Sequence, residues 1–166
     1  MTGPVFRYAL ALGGNRRTRY GGPRATLAAA CAALSAAGIA IDRMSPMFAT
    51  PAMGPAGRGF ANAAILVSTP LLPEQLLALL KRIEQDFGRR RGRRWGPRPL
   101  DLDILLWSGG AWPPAPRRAA AGRLQVPHAG LAARRFVLDP LVRIAPRWAL
   151  PATRRTIAQL HARAKG

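Results

Sequence analysis

Apolar residues along this chain fall into two alternating patterns, short continuous or every-second-position runs and stretches with a three-to-four-residue period, and these predict its strands and helices. "FRYALALGG", Phe6 to Gly14, is a continuous apolar run closed by paired glycines, as in a buried strand that opens into a loop. "PRATLAAACAALSAAG" places Pro23 at a favoured first helical position, spaces Leu27, Cys31 and Leu34 at helical intervals and stops at Gly38. A further strand is predicted within "IAIDRMSPMFATPAMGPAGRG", running into a Pro/Gly-rich loop, before "FANAAILVS", whose alternation puts Phe60, Asn62, Ala64 and Leu66 on one side.

The second helix is "PEQLLALLKRIEQDFG", with Pro73 at its start, Glu74 in its first turn, a Leu76, Leu80, Ile83, Phe87 stripe and Gly88 as its stop. "LDLDILLW" follows as a strand, with Leu100, Leu102, Ile104 and Leu106 expected on one face and Asp101, Asp103, Leu105 and Trp107 on the other. Gly109 to Arg123 reads as a loop, "LQVPH" as a brief edge strand, "RRFVLDPL" as a short buried element and "TIAQLHARA" as a final helix. No internal repeat or linker divides the chain, and 166 residues suit one domain, 1–166. The element order predicts an α+β fold: a ferredoxin-like plait with a mainly antiparallel sheet flanked by helices that cover one face. That shape is shared by many activities and implies no chemistry.

Composition adds charge to this picture. Against 26 Lys+Arg stand seven acids, for a formal charge of +19, while 49% hydrophobic residues exclude a disordered chain, so the charge sits on a folded surface. Nucleic acid, an acidic membrane surface and polyphosphates are all admissible partners, although a GC-rich coding bias toward Arg and Ala gives the same composition. Cys31 is the one cysteine, which excludes an internal disulfide and suits a reducing cytoplasm. The apolar run near the N-terminus is far too short to span a bilayer and lacks a charged leader, so the expectation is a cytoplasmic protein with no membrane partner.

Two of the few acids, Asp101 and Asp103, lie two residues apart in an apolar strand, which turns both carboxylates to one face about 7 Å apart. Such a pair also occurs at solvated edges, salt-bridged to arginines. Here the preceding "GRRRGRRWGPR" holds six arginines within residues 89–98, broken by glycines and a proline into a loop. Guanidinium groups grip phosphate oxygens, and Mg²⁺ prefers one or two carboxylates plus substrate phosphates to a full protein cage. An arginine loop leading into an acidic strand thus has the parts of a metal-nucleotide site.

With these residues stand "ALGGN", "SPMFATPAMGP", "FANAA", "IEQDFGR", "RWGPRPLDLDILLW" and "LQVPH" followed by "RRFVLDPL". In this order the chain closely resembles, over essentially its whole length, the 6-hydroxymethyl-7,8-dihydropterin pyrophosphokinases of folate biosynthesis. The resemblance implies transfer of the β,γ-diphosphate of ATP to the pterin hydroxymethyl group with release of AMP. It implies that Asp101 and Asp103 hold two Mg²⁺ ions, that Arg89, Arg91 and Arg98 clamp the phosphates, and that Trp95 belongs to a loop closing over the site. The pterin would stack between Phe60 and Phe136, with polar contacts from Asn62 and the main chain of Thr50, Pro51 and Met53. Glu84, Ile104, Arg123, Leu124, His128 and Arg134 would line the nucleotide side.

The chain departs from the family where Gly14 replaces a usual Ser, Phe60 a Tyr, Lys81 a frequent Gln and Ala129 a larger side chain, and its arginine loop is one residue shorter than in some members. These changes bear on nucleotide contacts more than on pterin recognition. The expected partners are small molecules, with a monomeric chain. Two rivals remain: a basic RNA-binding plait without catalysis, which the charge suits but which lacks an aromatic RNP-like strand, and a catalytically dead nucleotide-binding relative.

Overall fold

The computed structural model describes residues 3–50, 59–88, 98–114 and 123–164. In chain order they form β1 (Phe6–Gly14), α1 (Pro23–Ala36), β2 (Ala40–Met44), β3 (Phe48–Thr50), β4 (Phe60–Thr69), α2 (Pro73–Asp86), β5 (Asp101–Trp107), α3 (Arg135–Val142) and α4 (Ile157–Arg163), with a 3₁₀ turn at Leu131–Ala133. The sheet runs β2-β4-β1-β5, with β3 pairing β4, and each pairing is antiparallel. With the short β3 set aside, the βαββαβ succession in this spatial order is the ferredoxin-like plait, an α+β fold. Among the described residues no helix is long and apolar enough to cross a membrane.

Helices cover both sheet faces, where the sequence pattern had suggested one. Leu27 and Leu34 of α1 and Leu76, Leu80 and Ile83 of α2 pack on one face against Leu10, Leu12, Ile65 and Val67. Leu138 and Leu141 of α3 and Ile157 and Leu160 of α4 pack on the other, against Ala9, Ala64 and Leu66. The reason lies in β4 and β1, the central strands: each face of β4 is buried over nearly its whole length, so a second layer had to cover it. The helix at 135–142 arises from "RFVLDPLV", whose short length and internal Pro140 conceal its helical period in the sequence. At the last helix Thr156 Oγ1 accepts from Gln159 N at 3.2 Å while Gln159 Oε1 accepts from Thr156 N at 2.9 Å, a reciprocal cap.

Strict alternation fails at the end of β5. Leu10 pairs with Ile104 and Ala9 with Leu106, so Leu105 is an extra residue, a β-bulge. Leu106 consequently packs with Leu105 on the α3 side, and Trp107 turns to the α2 side, against Phe6 and Trp112. Both assignments reverse the faces that a uniform two-residue period assigns to them. "LQVPH" is not a strand either: Val126 makes a single bridge with Trp112, and Pro127 has no N–H with which to extend a ladder.

Because β5 is an edge strand, its outer backbone groups need partners from elsewhere. Glu84 of α2 supplies one, Oε2 accepting from Leu102 N at 2.7 Å. The segment after Val126 supplies another, His128 N donating to the carbonyl of Leu105 at 3.0 Å. These two contacts fix the strand that carries the paired aspartates.

Candidate active site

One row across the end of the sheet carries Asn62 on β4, Gly13 on β1 and Asp101 on β5, since Gly13 is the register partner of both. The next row on the same face carries Ala64, Ala11 and Asp103. The small residues of β1 leave a trough between polar groups on its two neighbours. A Cβ on Gly13 would stand 3.2 Å from Asn62 Oδ1, which shows how closely the amide lies over the strand. With two strand spacings between them, Asn62 and Asp101 are about 10 Å apart along this row.

The trough opens into a cavity of about 690 Å³, within the size range of small-molecule sites. Phe60 and Asn62 enter it from β4, Asp101 and Asp103 from β5, and Arg98 from the residues just before β5. His128, Arg134 and Phe136 close it from the segment leading into α3. Thus eight of the residues singled out in the sequence meet in one hollow. Phe136 keeps 45% of its surface exposed although it is large and apolar, and the Arg134 guanidinium lies over its ring, 5.9 Å from the centroid. Gly130 makes room for that arginine, because a Cβ there would meet Arg134 Nε at 2.7 Å.

Arg98 Nη1 lies 3.4 Å from Asp101 Oδ2, a partly exposed ion pair at the acidic side of the cavity. The segment that bears Arg98 is tied to the end of β1: Asn15 Oδ1 accepts from Arg98 N and Asn15 N donates to Arg98 O, both at 3.3 Å. Gly14 closes on the same segment, where a Cβ would stand 2.6 Å from the Pro99 carbonyl oxygen, so the usual Ser would need the two segments to move apart. On His128, Nδ1 accepts from Gly130 N at 3.0 Å, which places the proton of a neutral ring on Nε2. Asn62 is nearly buried at 8% exposure, a polar group enclosed in an otherwise largely apolar strand.

Asp101 and Asp103 offer hard oxygen ligands, and among the described residues no third His, Cys, Asp or Glu joins them in a cluster. That donor set fits Mg²⁺, which completes its shell with water and substrate phosphates, and does not fit a zinc site with four protein ligands.

Other candidates lie elsewhere. Glu84 is buried at 1% beneath β5, bonded to Leu102 N, with Lys81 Nζ 3.4 Å from Oε1. The Ile104 side chain is in the core on the α2 side, Leu124 packs against that core, and Arg123 is exposed; none lines the cavity. Thr50 ends β3 opposite Phe60, so its main chain adjoins the aromatic side. Pro51, Met53, Arg89, Arg91 and Trp95 lie outside the described residues. Sequence reasoning gave no role to Asn15, Ala11 or Gly13, which line the cavity; the one signal was the polar residue following two glycines at a strand end.

The family profile described as 7,8-dihydro-6-hydroxymethylpterin-pyrophosphokinase (HPPK) matches residues 9–146. A Synechocystis protein named 2-amino-4-hydroxy-6-hydroxymethyldihydropteridine pyrophosphokinase is 40% identical over 124 residues, which are 75% of this chain and 60% of that protein. A Methylorubrum extorquens protein of the same name is 39% identical over 144 residues, 86% of this chain and 84% of that one. In fold, the chain resembles the crystal structure of Plasmodium falciparum HPPK-DHPS with a TM-score of 0.72 at 14% identity, over 96% of this chain and 41% of the Plasmodium chain.

Proposed function

The chain belongs to the 7,8-dihydro-6-hydroxymethylpterin-pyrophosphokinase family, and from that premise we propose that it transfers diphosphate from ATP to 6-hydroxymethyl-7,8-dihydropterin in folate biosynthesis. The observation that carries this reading is the single cavity in which two phenylalanines and a buried amide face two aspartates and an arginine across the end of one sheet. A flat heterocycle needs the first group and a metal-bound triphosphate the second.

Phe60 and Phe136 would hold the pterin ring, with Asn62 and the main chain at Thr50, Pro51 and Met53 pairing with its edge. Asp101 and Asp103 would hold two Mg²⁺ ions, whose charge offsets that of the triphosphate when bound. The pterin hydroxymethyl oxygen forms a bond to the β-phosphorus as the bond from that phosphorus to the AMP oxygen breaks, and the hydroxyl proton is released. Arg98, with Arg89 and Arg91, would stabilise charge on the transferred group, and Trp95 would close with its loop over the site. Arg134 and His128, the latter donating from Nε2, would contact the nucleotide, as would Arg123, Leu124 and the main chain at Ile104. Glu84 would act by fixing β5. Alignment and electrostatics then supply most of the acceleration, as is usual for phosphoryl chemistry.

We read residues 1–166 as one pyrophosphokinase domain, a cytoplasmic monomer acting on small molecules. The RNA-binding reading has no support: helices cover both sheet faces, leaving no open face on which bases would stack. Incubation with ATP, Mg²⁺ and 6-hydroxymethyl-7,8-dihydropterin should release AMP and pterin diphosphate in equal amounts. Formation of ADP, or no consumption of pterin, would sink the proposal and return the dead-relative reading.

A further inference from the structure

Helix α3 divides one face of the sheet into two hollows. The cavity described above lies at its N-terminal end, beside Phe136. A second, of about 680 Å³, lies past its C-terminal end, beside Ile144 and Ala145. Its floor is apolar, formed by Leu66, Ile144 and Ala145 with Trp148 at the side, and its rim carries Arg7 of β1, Arg43 of β2 and Arg147 of the segment after α3. Register explains the convergence: Arg7 pairs with Ser68 and Arg43 with Leu66, so both flank the last residues of β4 on the face that α3 covers.

From this arrangement we propose that the second hollow is a binding site for an organic anion with a flat apolar body and at least two negative charges, of which a nucleoside diphosphate is the reference chemistry. Three exposed arginines from three separate segments border buried Leu66, Ile144 and Ala145, a lining that suits a planar group below and phosphate oxygens above. None of the three has an ion-pair partner among the described residues, and no carboxylate lines the hollow. Asp42, next to Arg43 in sequence, is engaged by the Ser68 hydroxyl instead. Ser108 adds a donor: its Oγ accepts from Arg7 N at 2.9 Å, so its own hydrogen remains for a ligand oxygen.

The negative end of α3 would oppose an anion, but two of its last-turn carbonyls are already paired. Pro140 O accepts from Arg143 N at 3.2 Å, and Leu141 O accepts from Ile144 N at 3.1 Å and Ala145 N at 2.9 Å. A solvated arginine rim is the ordinary fate of such residues in a chain of charge +19. Here the rim encloses a concave apolar surface, which charge alone does not produce. That concavity also favours a compact ligand over a nucleic-acid strand, which would want a stripe of cations with stacking platforms along it.

The test is equilibrium dialysis of the full chain with labelled ADP at 0.15 M salt, beside the R7Q/R43Q/R147Q variant, which removes the charges, keeps most of each aliphatic stem and changes no residue that lines the first cavity. The wild type should bind one more ADP per chain than the variant, and the two should turn over substrates equally. Because the reading is a difference of one site, it stands or falls independently of what the first cavity binds. Equal stoichiometry in the two proteins would overturn it. So would binding of inorganic pyrophosphate as tightly as ADP, which would remove the flat body, or arginine-dependent binding of a single-stranded RNA 12-mer without the extra ADP, which would make the surface a nucleic-acid one.

Discussion

Asn15 and Arg98, 83 positions apart in sequence, hold each other by two hydrogen bonds, the Asn15 side chain accepting from Arg98 N and the Arg98 carbonyl accepting from Asn15 N, both at 3.3 Å. The pairing fixes the backbone from which Arg98 reaches Asp101, so Asn15 is a positioning residue for the acidic side of the cavity. Removing the side-chain acceptor in Asn15→Ala should cost about 1 kcal/mol of stability, the usual net value of one such bond. Steady-state kinetics should show kcat lowered by roughly 10-fold, the equivalent of about 1.4 kcal/mol, with little change in the KM for pterin. An unchanged kcat would mean that Arg98 keeps its place without this tie.

Glu84 is the residue whose burial most constrains the acidic strand. Its carboxylate accepts from Leu102 N at 2.7 Å, between the two aspartates in sequence, and it is 1% exposed. Glu84→Ala leaves a buried N–H without that acceptor, at a cost of about 1–3 kcal/mol. Thermal unfolding should show the loss as a lower Tm, and Glu84→Gln, which retains a carbonyl acceptor, should recover most of it. A full-activity, full-stability Glu84→Ala protein would remove the staple from the account.

How far the sequence disclosed these features depends on the range over which each is encoded. Local periodicity located the strand at 6–14 and the helices beginning at Pro23 and Pro73, because one stripe of apolar residues makes one buried face. It also set Phe60 and Asn62 on a common side, and both enter the cavity. The Leu105 bulge was hidden because "ILLW" is apolar at every position, so a shift of one residue leaves no mark in the pattern. Asn15 was hidden for the opposite reason: its partner is remote, and no local rule pairs an asparagine after two glycines with an arginine before a distant strand.

The Tyr8 hydroxyl gives the fold an alkaline limit. The ring is fully buried on β1, its hydroxyl donates to the Leu71 carbonyl at 2.6 Å, and burial raises its pKa well above the usual tyrosine value. The unfolded chain loses this proton near pH 10, while the folded chain keeps it, so above that pH the unfolded state binds fewer protons and stability falls as pH rises. Below pH 10 this contribution is fully present. Chemical denaturation between pH 9 and 11 should show the decline in the wild type and a shallower one in Tyr8→Phe, which loses the hydrogen bond but has no proton to release. Identical slopes would exclude Tyr8 as the source.

The two aspartates make the metal requirement of the proposed reaction testable at single residues. Both oxygen sets face one side of β5, and Asp101 already has Arg98 at 3.4 Å, whereas Asp103 is the more exposed. Chelation should stop AMP release and added Mg²⁺ should restore it. Asp103→Asn should raise the Mg²⁺ concentration for half-maximal rate by at least about 10-fold, the effect of about 1.4 kcal/mol in metal affinity. A rate insensitive to chelation would end the metal assignment while leaving the pterin side intact.

Phe136 lines the cavity from the first turn of α3. It stands at the mouth with 45% of its surface exposed, steadied from one side by Arg134, so it can cover a flat ring without being needed for the core. Truncating a central aromatic contact costs about 2 kcal/mol or more of binding, so Phe136→Ala should weaken pterin binding by roughly 30-fold. Calorimetry with the pterin and with a non-hydrolysable ATP analogue, measured separately, distinguishes this from general damage: ATP-analogue affinity and Tm should stay near the wild-type values. Equal losses for both ligands would show that the ring supports the whole cavity rather than the pterin face.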